Sequence, residues 1–177
     1  PKMVILITIF GLAGTGTTTV GEILAKTLGY KFLSSGNIFR DEAKKLRLDL
    51  NQFEKLCLKN PTYDKALDKK VEEFGKNNHD FVVESRLAYH FIPDSFKVKL
   101  TCMYSERIRR VARRTNKPIS LVSDMTNFRE GAARARYRKY YGIKELGSDK
   151  KFDLMINTTS KSPDIICKII LSRLKRL

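Results

Sequence analysis

Residues 4–10, VILITIF, are apolar or β-branched without a break, and the turn Gly11-Leu12-Ala13-Gly14-Thr15-Gly16 follows at once. Strict alternation marks a strand with one wet face, whereas an unbroken run marks a strand buried on both faces. Such a strand needs partners on either side and helices above and below. The glycine-rich turn leads into a helical pattern at residues 20–28 that stops at Gly29.

The rest of the chain repeats this alternation. Residues 30–33 are a short strand candidate. Ser35 can cap the next helix, whose apolar positions include Ile38, Phe39 and Ala43. Two helical stretches follow between Asp49 and Asn78, parted near Asn60-Pro61. Strands are expected at residues 81–83 and 96–102, and a very basic helix at 105–115. Asn116-Lys117-Pro118 breaks that helix, and a long helical pattern runs from about residue 120 to 141, ending at Gly142. Residues 153–156 read as a last strand, and Pro163 opens a final helix. Strands alternating with helices imply βαβ units and a doubly wound parallel sheet. Ligands in such sheets bind beyond the carboxyl ends of the strands. At 177 residues, with no internal repeat or linker, residues 1–177 are expected to form one domain.

Composition narrows the classes. Hydrophobic residues make up 42% of the chain, too many for a disordered one. No apolar run approaches the roughly 20 residues of a membrane helix. The apolar start at residues 3–10 is followed by a glycine-rich turn, not by a signal-peptide cleavage site. A soluble, cytoplasmic protein that avoids membranes is expected. Cys57, Cys102 and Cys167 are widely spaced, and His79 and His90 are the only histidines. Three reduced thiols are expected, with neither zinc nor a disulfide framework. Lys plus Arg is 35 against 19 acidic residues, a net charge of +16. That excess points toward anions: nucleotide phosphates, nucleic acid, or plain solubility.

A P-loop reads GxxxxGK[ST] between a strand and a helix. Gly11, Gly16 and Thr18 match it, and Gly14, Thr15 and Thr19 lie within the same loop and helix start. Glycines let successive backbone N–H groups turn toward one anion, and the helix N-terminus adds its dipole. Thr18 occupies the position of the hydroxyl that ligates Mg²⁺. Thr17 stands where the lysine belongs, so one positive charge is missing. An ordinary βα turn would have the same glycines, but the buried strand before it and the helix after it favour the phosphate loop.

Other candidates sit at the ends of the later strands. Ser35 and Arg40 follow the second, in LSSGNIFR. Glu84-Ser85-Arg86 ends the third: Glu84 can orient Mg²⁺-bound water and Arg86 can hold a phosphate bidentately, or the two can form a structural ion pair. Arg107, Arg109, Arg110, Arg113 and Arg114 crowd one helix; Arg129, Arg134, Arg136, Arg138 and Lys139 crowd the next. Two basic helices joined by a loop suit a lid over transferring phosphates. Tyr137, Tyr140 and Tyr141 beside those arginines could instead stack on nucleic-acid bases, although their helical spacing fits packing better.

Taken in order, these segments resemble the archaeal-type cytidylate kinases, within the adenylate kinase-like nucleoside monophosphate kinases. The resemblance runs through GLAGTGTTTV (11–20), SSGNIFR (34–40), Asn60-Pro61 before Asp64 and Asp68, VVESR (82–86), Arg110 to Arg114, Arg129-Glu130, RYRKYYGI (136–143) and DLMINTTS (153–160). It implies a P-loop NTPase-type parallel sheet flanked by helices, a helical NMP-binding region at about 36–78 and an Arg-rich lid at about 110–136. It implies transfer of the γ-phosphoryl group of ATP to CMP or dCMP, with Mg²⁺. By position, Arg40 and Arg86 resemble the arginines on the acceptor phosphate, and Glu84 the carboxylate that places the metal through water. Arg114, Arg129 and Arg136 resemble the lid arginines, and Arg110 and Asn157 border the adenine. Asp64, Asp68 and Lys69 are candidates for reading the base. The chain departs from the family with Ser85 in place of Gly and with Ala132-Ala133 in place of a Ser-Glu pair. A monomer is expected. Two alternatives stand beside this reading: a kinase of the same fold for AMP or UMP, and a non-catalytic basic RNA-binding module on a P-loop-like scaffold.

Overall fold

A computed structural model describes residues 5–177; Val4, the expected first residue of the opening strand, lies outside them. Five strands form one parallel sheet in the order β2-β3-β1-β4-β5. They are β1 (Leu6–Phe10), β2 (Lys31–Ser34), β3 (Phe81–Glu84), β4 (Phe96–Thr101) and β5 (Leu154–Asn157). The opening run sits at the centre, hydrogen-bonded to β3 on one side and β4 on the other, with Ile7 and Ile9 fully buried.

Helices cover both faces. On one, Val20 and Leu24 of α1 (Thr17–Leu28) meet Ile166, Ile170 and Leu174 of α8 (Pro163–Leu174) over Ile7, Ile9, Val98 and Leu100. On the other, Val71 of α4 (Pro61–Asn77) and Ala88 and Ile92, in and just after the four-residue α5 (Ala88–Phe91), cover Phe81 and Val83. In a separate cluster, α2 (Ser35–Lys45), α3 (Leu50–Lys59) and α4 enclose a small core of Ala43, Phe53 and Cys57. Two further helices lie between β4 and β5: α6 (Tyr104–Thr115), ended by Asn116 at φ 52, and α7 (Ile119–Tyr141), ended by Gly142 at φ 65. α7 packs on both α6 and α3. Among the described residues no helix is long and apolar enough to cross a membrane.

Two helix starts and two short elements stand out against expectation. α1 starts at Thr17 rather than residue 20, because Gly16, at φ 90, turns the chain straight into the helix. The cap of α2 is Ser34, not Ser35: its Oγ accepts from Asn37 N–H. α5 and a 3₁₀ turn at Asp149–Lys151 are too short to leave a sequence period.

Candidate active site

The carboxyl ends of β1, β2 and β3 meet at one carboxylate. Strand register puts Ser34 and Ile9 level with Glu84. Glu84 is 8% exposed and accepts from Ser34 Oγ at 2.5 Å, Thr17 Oγ1 at 3.0 Å and Thr18 Oγ1 at 3.4 Å. Its partners are hydroxyls rather than Arg86, so the structural ion pair is not what holds it.

The loop after β1 is shaped by its glycines. Gly14 sits at φ +85, and a Cβ there would lie 2.5 Å from the Arg107 carbonyl oxygen. No side chain caps α1, which leaves its first-turn N–H groups open to an anion. The loop is fixed from outside as well. Arg107, buried, donates to Ala13 O at 3.0 Å and to Glu130 Oε1 at 2.6 Å, tying loop, α6 and α7 together.

Above this loop is an open cleft. Its walls bring together Gly11, Gly14, Gly16, Thr17, Thr18, Thr19, Ser35, Arg40, Glu84, Arg86, Arg114, Arg129 and Arg136, from five separate parts of the chain. Thr15, Arg110 and Asn157 are not among them. Thr15 turns its hydroxyl inward to Leu12 O. Arg110 is spent on the carbonyls of Gly14, Thr158 and Thr159, and buried Thr158 donates in turn to Thr15 O at 2.8 Å. Asn157 is exposed, its Oδ1 accepting from Thr159 N–H.

The electrostatics of the cleft are unbalanced. Burial pushes the Arg129 pKa down to about 10, Arg86 pushes it the same way, Glu54 opposes, and Arg40 and Arg114 add to the fall. Its Nε is buried with no hydrogen-bond partner, 3.7 Å from Glu54 Oε1. The Arg114 pKa is lowered too, by desolvation and then by Arg40, with Glu84 opposing. Four guanidinium groups thus repel one another above the phosphate loop. An anion with several oxygens would relieve all four.

Arg136 is placed differently. It is 3% exposed and ion-paired to Glu54 of α3 and Asp64 of α4. Burial alone would lower its pKa, but Glu54 and Asp64 outweigh burial and raise it. Burial lifts Asp64 to about 6 against the pull of Arg136. Burial also lifts Asp68 to about 6, against a hydrogen bond from Tyr141. Asp64 and Asp68 line the cleft together with Phe39, Leu67 and Tyr137. Lys69 does not: it is exposed, 3.6 Å from Glu73. Glu54 and Ser34 are residues that the sequence reading passed over. The signal for Glu54 was a carboxylate on the same helical stripe as Phe53 and Cys57, all three buried.

The donors at the loop are hard oxygens, a threonine hydroxyl and a carboxylate. Among the described residues no cluster of three His, Cys, Asp or Glu could enclose a metal ion. That set suits Mg²⁺, which keeps several waters and takes the rest of its ligands from substrate phosphates.

The model of the cytidylate kinase-like family matches residues 6–160. A protein named cytidylate kinase from Methanobrevibacter smithii is 36% identical over 170 residues, covering 96% of this chain and 98% of that one. The cytidylate kinase of Methanothermobacter thermautotrophicus is 35% identical, covering 86% and 94%. Among solved structures, a shikimate kinase from Acinetobacter baumannii superposes with a TM-score of 0.64 at 17% identity, covering 99% of this chain and 95% of that one. At that identity the likeness speaks for the fold alone, the fold of the P-loop kinases.

Proposed function

The chain belongs to the cytidylate kinase-like family, and from that premise we propose that it transfers the γ-phosphoryl group of ATP to CMP or dCMP, giving CDP or dCDP and ADP. The observation that carries this reading is the ring of mutually repelling arginines around the unpartnered Nε of Arg129, directly over the phosphate loop. It is a site for more than one phosphate.

The α2–α4 region, about 36–78, holds the acceptor, and α6 and α7, about 110–136, form the lid. The loop amides from Gly11 to Thr19 cradle the donor phosphates. Arg110 and Asn157 border the adenine from the β5 side. Arg40 and Arg86 hold the acceptor phosphate, and Arg114 and Arg129 stand between the two phosphate chains. Thr18, and Glu84 through water, would hold Mg²⁺, which when bound with ATP would neutralise charge on the transferring group. No general base is needed: the acceptor oxygen is already anionic, so alignment and electrostatic stabilisation do most of the work. Closing of the arginines over the cleft excludes water, so transfer goes to the acceptor and not to hydrolysis. Free nucleotide substrates fit a cytoplasmic enzyme.

The test is a panel of CMP, dCMP, UMP, AMP and GMP with Mg·ATP, reading ADP and nucleoside diphosphate. CMP and dCMP are expected to lead. AMP turned over as efficiently as CMP overturns the substrate assignment. Arg86→Ala and Arg40→Ala should each lower kcat/KM for CMP by about 10–150-fold, the loss of one charge-assisted pair.

A further inference from the structure

Three consecutive carbonyls of the loop after β1 are each held from outside the cleft. Arg107 of α6 donates to Ala13 O at 3.0 Å, and Arg110 of the same helix donates to Gly14 O at 3.3 Å. Thr158, just past β5, gives its hydroxyl to Thr15 O at 2.8 Å. None of the three donors lines the cleft. A trans peptide points its carbonyl and the next residue's N–H in opposite directions. Holding these carbonyls outward turns the N–H groups of Gly14 and Gly16 the other way, toward the cleft that both residues line. The N–H of Thr15, between them, closes the turn onto Leu12 O at 3.1 Å.

Resting on the CMP kinase reading, we infer that Arg107 and Thr158 are positioning residues for the donor phosphates, which set the peptide planes of the loop without touching ATP. The need for them lies in this loop. Thr17 stands in the lysine position and turns its hydroxyl to Glu84, so the backbone amides carry more of the phosphate binding. Amides hold an anion well only when several point at one place. Gly14 and Gly16 would by themselves lose that orientation to backbone freedom. Fixing it in the free protein removes an ordering cost from binding. The clamp gives orientation, not net charge: Glu130 pairs with Arg107 at 2.6 Å and Glu106 with Arg110 at 3.0 Å. Arg107 and Thr158 are both buried, so water does not compete for the carbonyls they hold. Thr158 is itself fixed, its N–H donated to Thr101 O at 2.7 Å and its hydroxyl oxygen accepting from Arg110 Nη1 at 3.2 Å. Glu130 follows Arg129 in the chain, so Arg107 holds both the loop and the turn of α7 that carries Arg129.

The experiment compares Thr158→Val with Thr158→Ser, reading kcat, KM for Mg·ATP, the Kd for CMP alone and Tm. Valine keeps the buried volume and loses the hydroxyl, whereas serine keeps the hydroxyl and loses the methyl. Thr158→Val should lower kcat and raise KM for Mg·ATP, so that kcat/KM for ATP falls about 10–100-fold while the Kd for CMP stays at the parent value. Thr158→Ser should recover most of that loss, whatever its Tm. Arg107→Met combined with Glu130→Gln leaves no unpaired buried charge and should also lower kcat and raise KM for Mg·ATP. A contact with the donor base alone would raise KM for ATP at the parent kcat. Activity that follows Tm across the variants rather than the hydroxyl, or a Thr158→Val protein with the parent kcat, overturns the clamp alone. A parent protein that forms no CDP overturns the kinase reading, and this inference with it.

Discussion

Arg129→Met separates what the arginine ring costs from what it does. In the unliganded protein Arg129 is charged but poorly solvated, and it faces Arg86, Arg40 and Arg114. A fall from 12.5 to about 10 corresponds to about 3 kcal/mol against the charged form in the folded state. The sign follows from linkage: the unfolded chain binds the proton more tightly, so the penalty is present in full at pH 7.5 and is relieved only above about pH 10. Methionine keeps most of the stem and removes the charge. Glu54 retains Arg136 as its partner, so no buried carboxylate is orphaned. After about 1–2 kcal/mol for the lost Glu54 attraction and the change in packing, a net gain of about 1–2 kcal/mol remains. For a chain of this size that raises Tm by roughly 2–6 °C. The same change should lower kcat about 10²–10³-fold, the usual loss for one preorganised donor. The assay pairs thermal denaturation in phosphate-free buffer with steady-state kinetics on CMP. A variant that melts several degrees below the parent would refute the reasoning: Arg129 would then be a structural partner of Glu54, and the ring would store no repulsion.

Thr17→Lys should partly rescue Arg114→Ala in a double-mutant cycle on kcat, because both charges would serve the donor phosphates; strictly additive effects would show that they do not. Ser34→Ala removes the cap of α2 and one of the three hydroxyls on Glu84; it should cost about 1–2 kcal/mol, seen as a fall in Tm of roughly 2–6 °C, and should slow turnover by leaving Glu84 less firmly placed. Asp68→Asn should be stabilising in a pH-dependent way. The folded carboxyl sits at about 6 against an ordinary 3.8, so its burden is present above pH 6 and disappears as the pH falls toward 4. The gap in Tm between Asp68→Asn and the parent should accordingly be widest near pH 7.5 and close by about pH 4; an equal gap at both pH values would contradict it.

What was legible in the sequence was what depends on neighbours along the chain. The unbroken residues 4–10 announced a central strand, and β1 lies between β3 and β4. Glycines and Asn116 marked helix ends because a positive φ is a local requirement. Arg40, Glu84, Arg86, Arg114 and Arg129 stood out by their place in a known family's motifs, and the fold sets all five on the wall of one cleft. The pairing of Arg136 with Glu54 could not, since it joins residues 82 apart through the packing of α7 on α3. Nor could the sequence show that Ser34, and not Ser35, would cap α2. That choice depends on β2 extending one residue further to pair with the end of β3. That three backbone carbonyls hold the guanidinium of Arg110 is likewise a fact of tertiary approach alone.

The 23 residues of α7 form one uninterrupted rod, about 34 Å long at 1.5 Å per residue. Arg129 and Arg136 ride on it seven residues apart, about 10 Å along its axis. One end of that span is anchored on α3 and α4 by Glu54 and Asp64, and the other lines the cleft above the loop after β1. A rod has no joint at which the two ends could part company. Any ligand that tilts the anchored end swings the other through a fixed arc, so a molecule bound among α3 and α4 would act on the handle of a lever whose tip lies over the loop after β1.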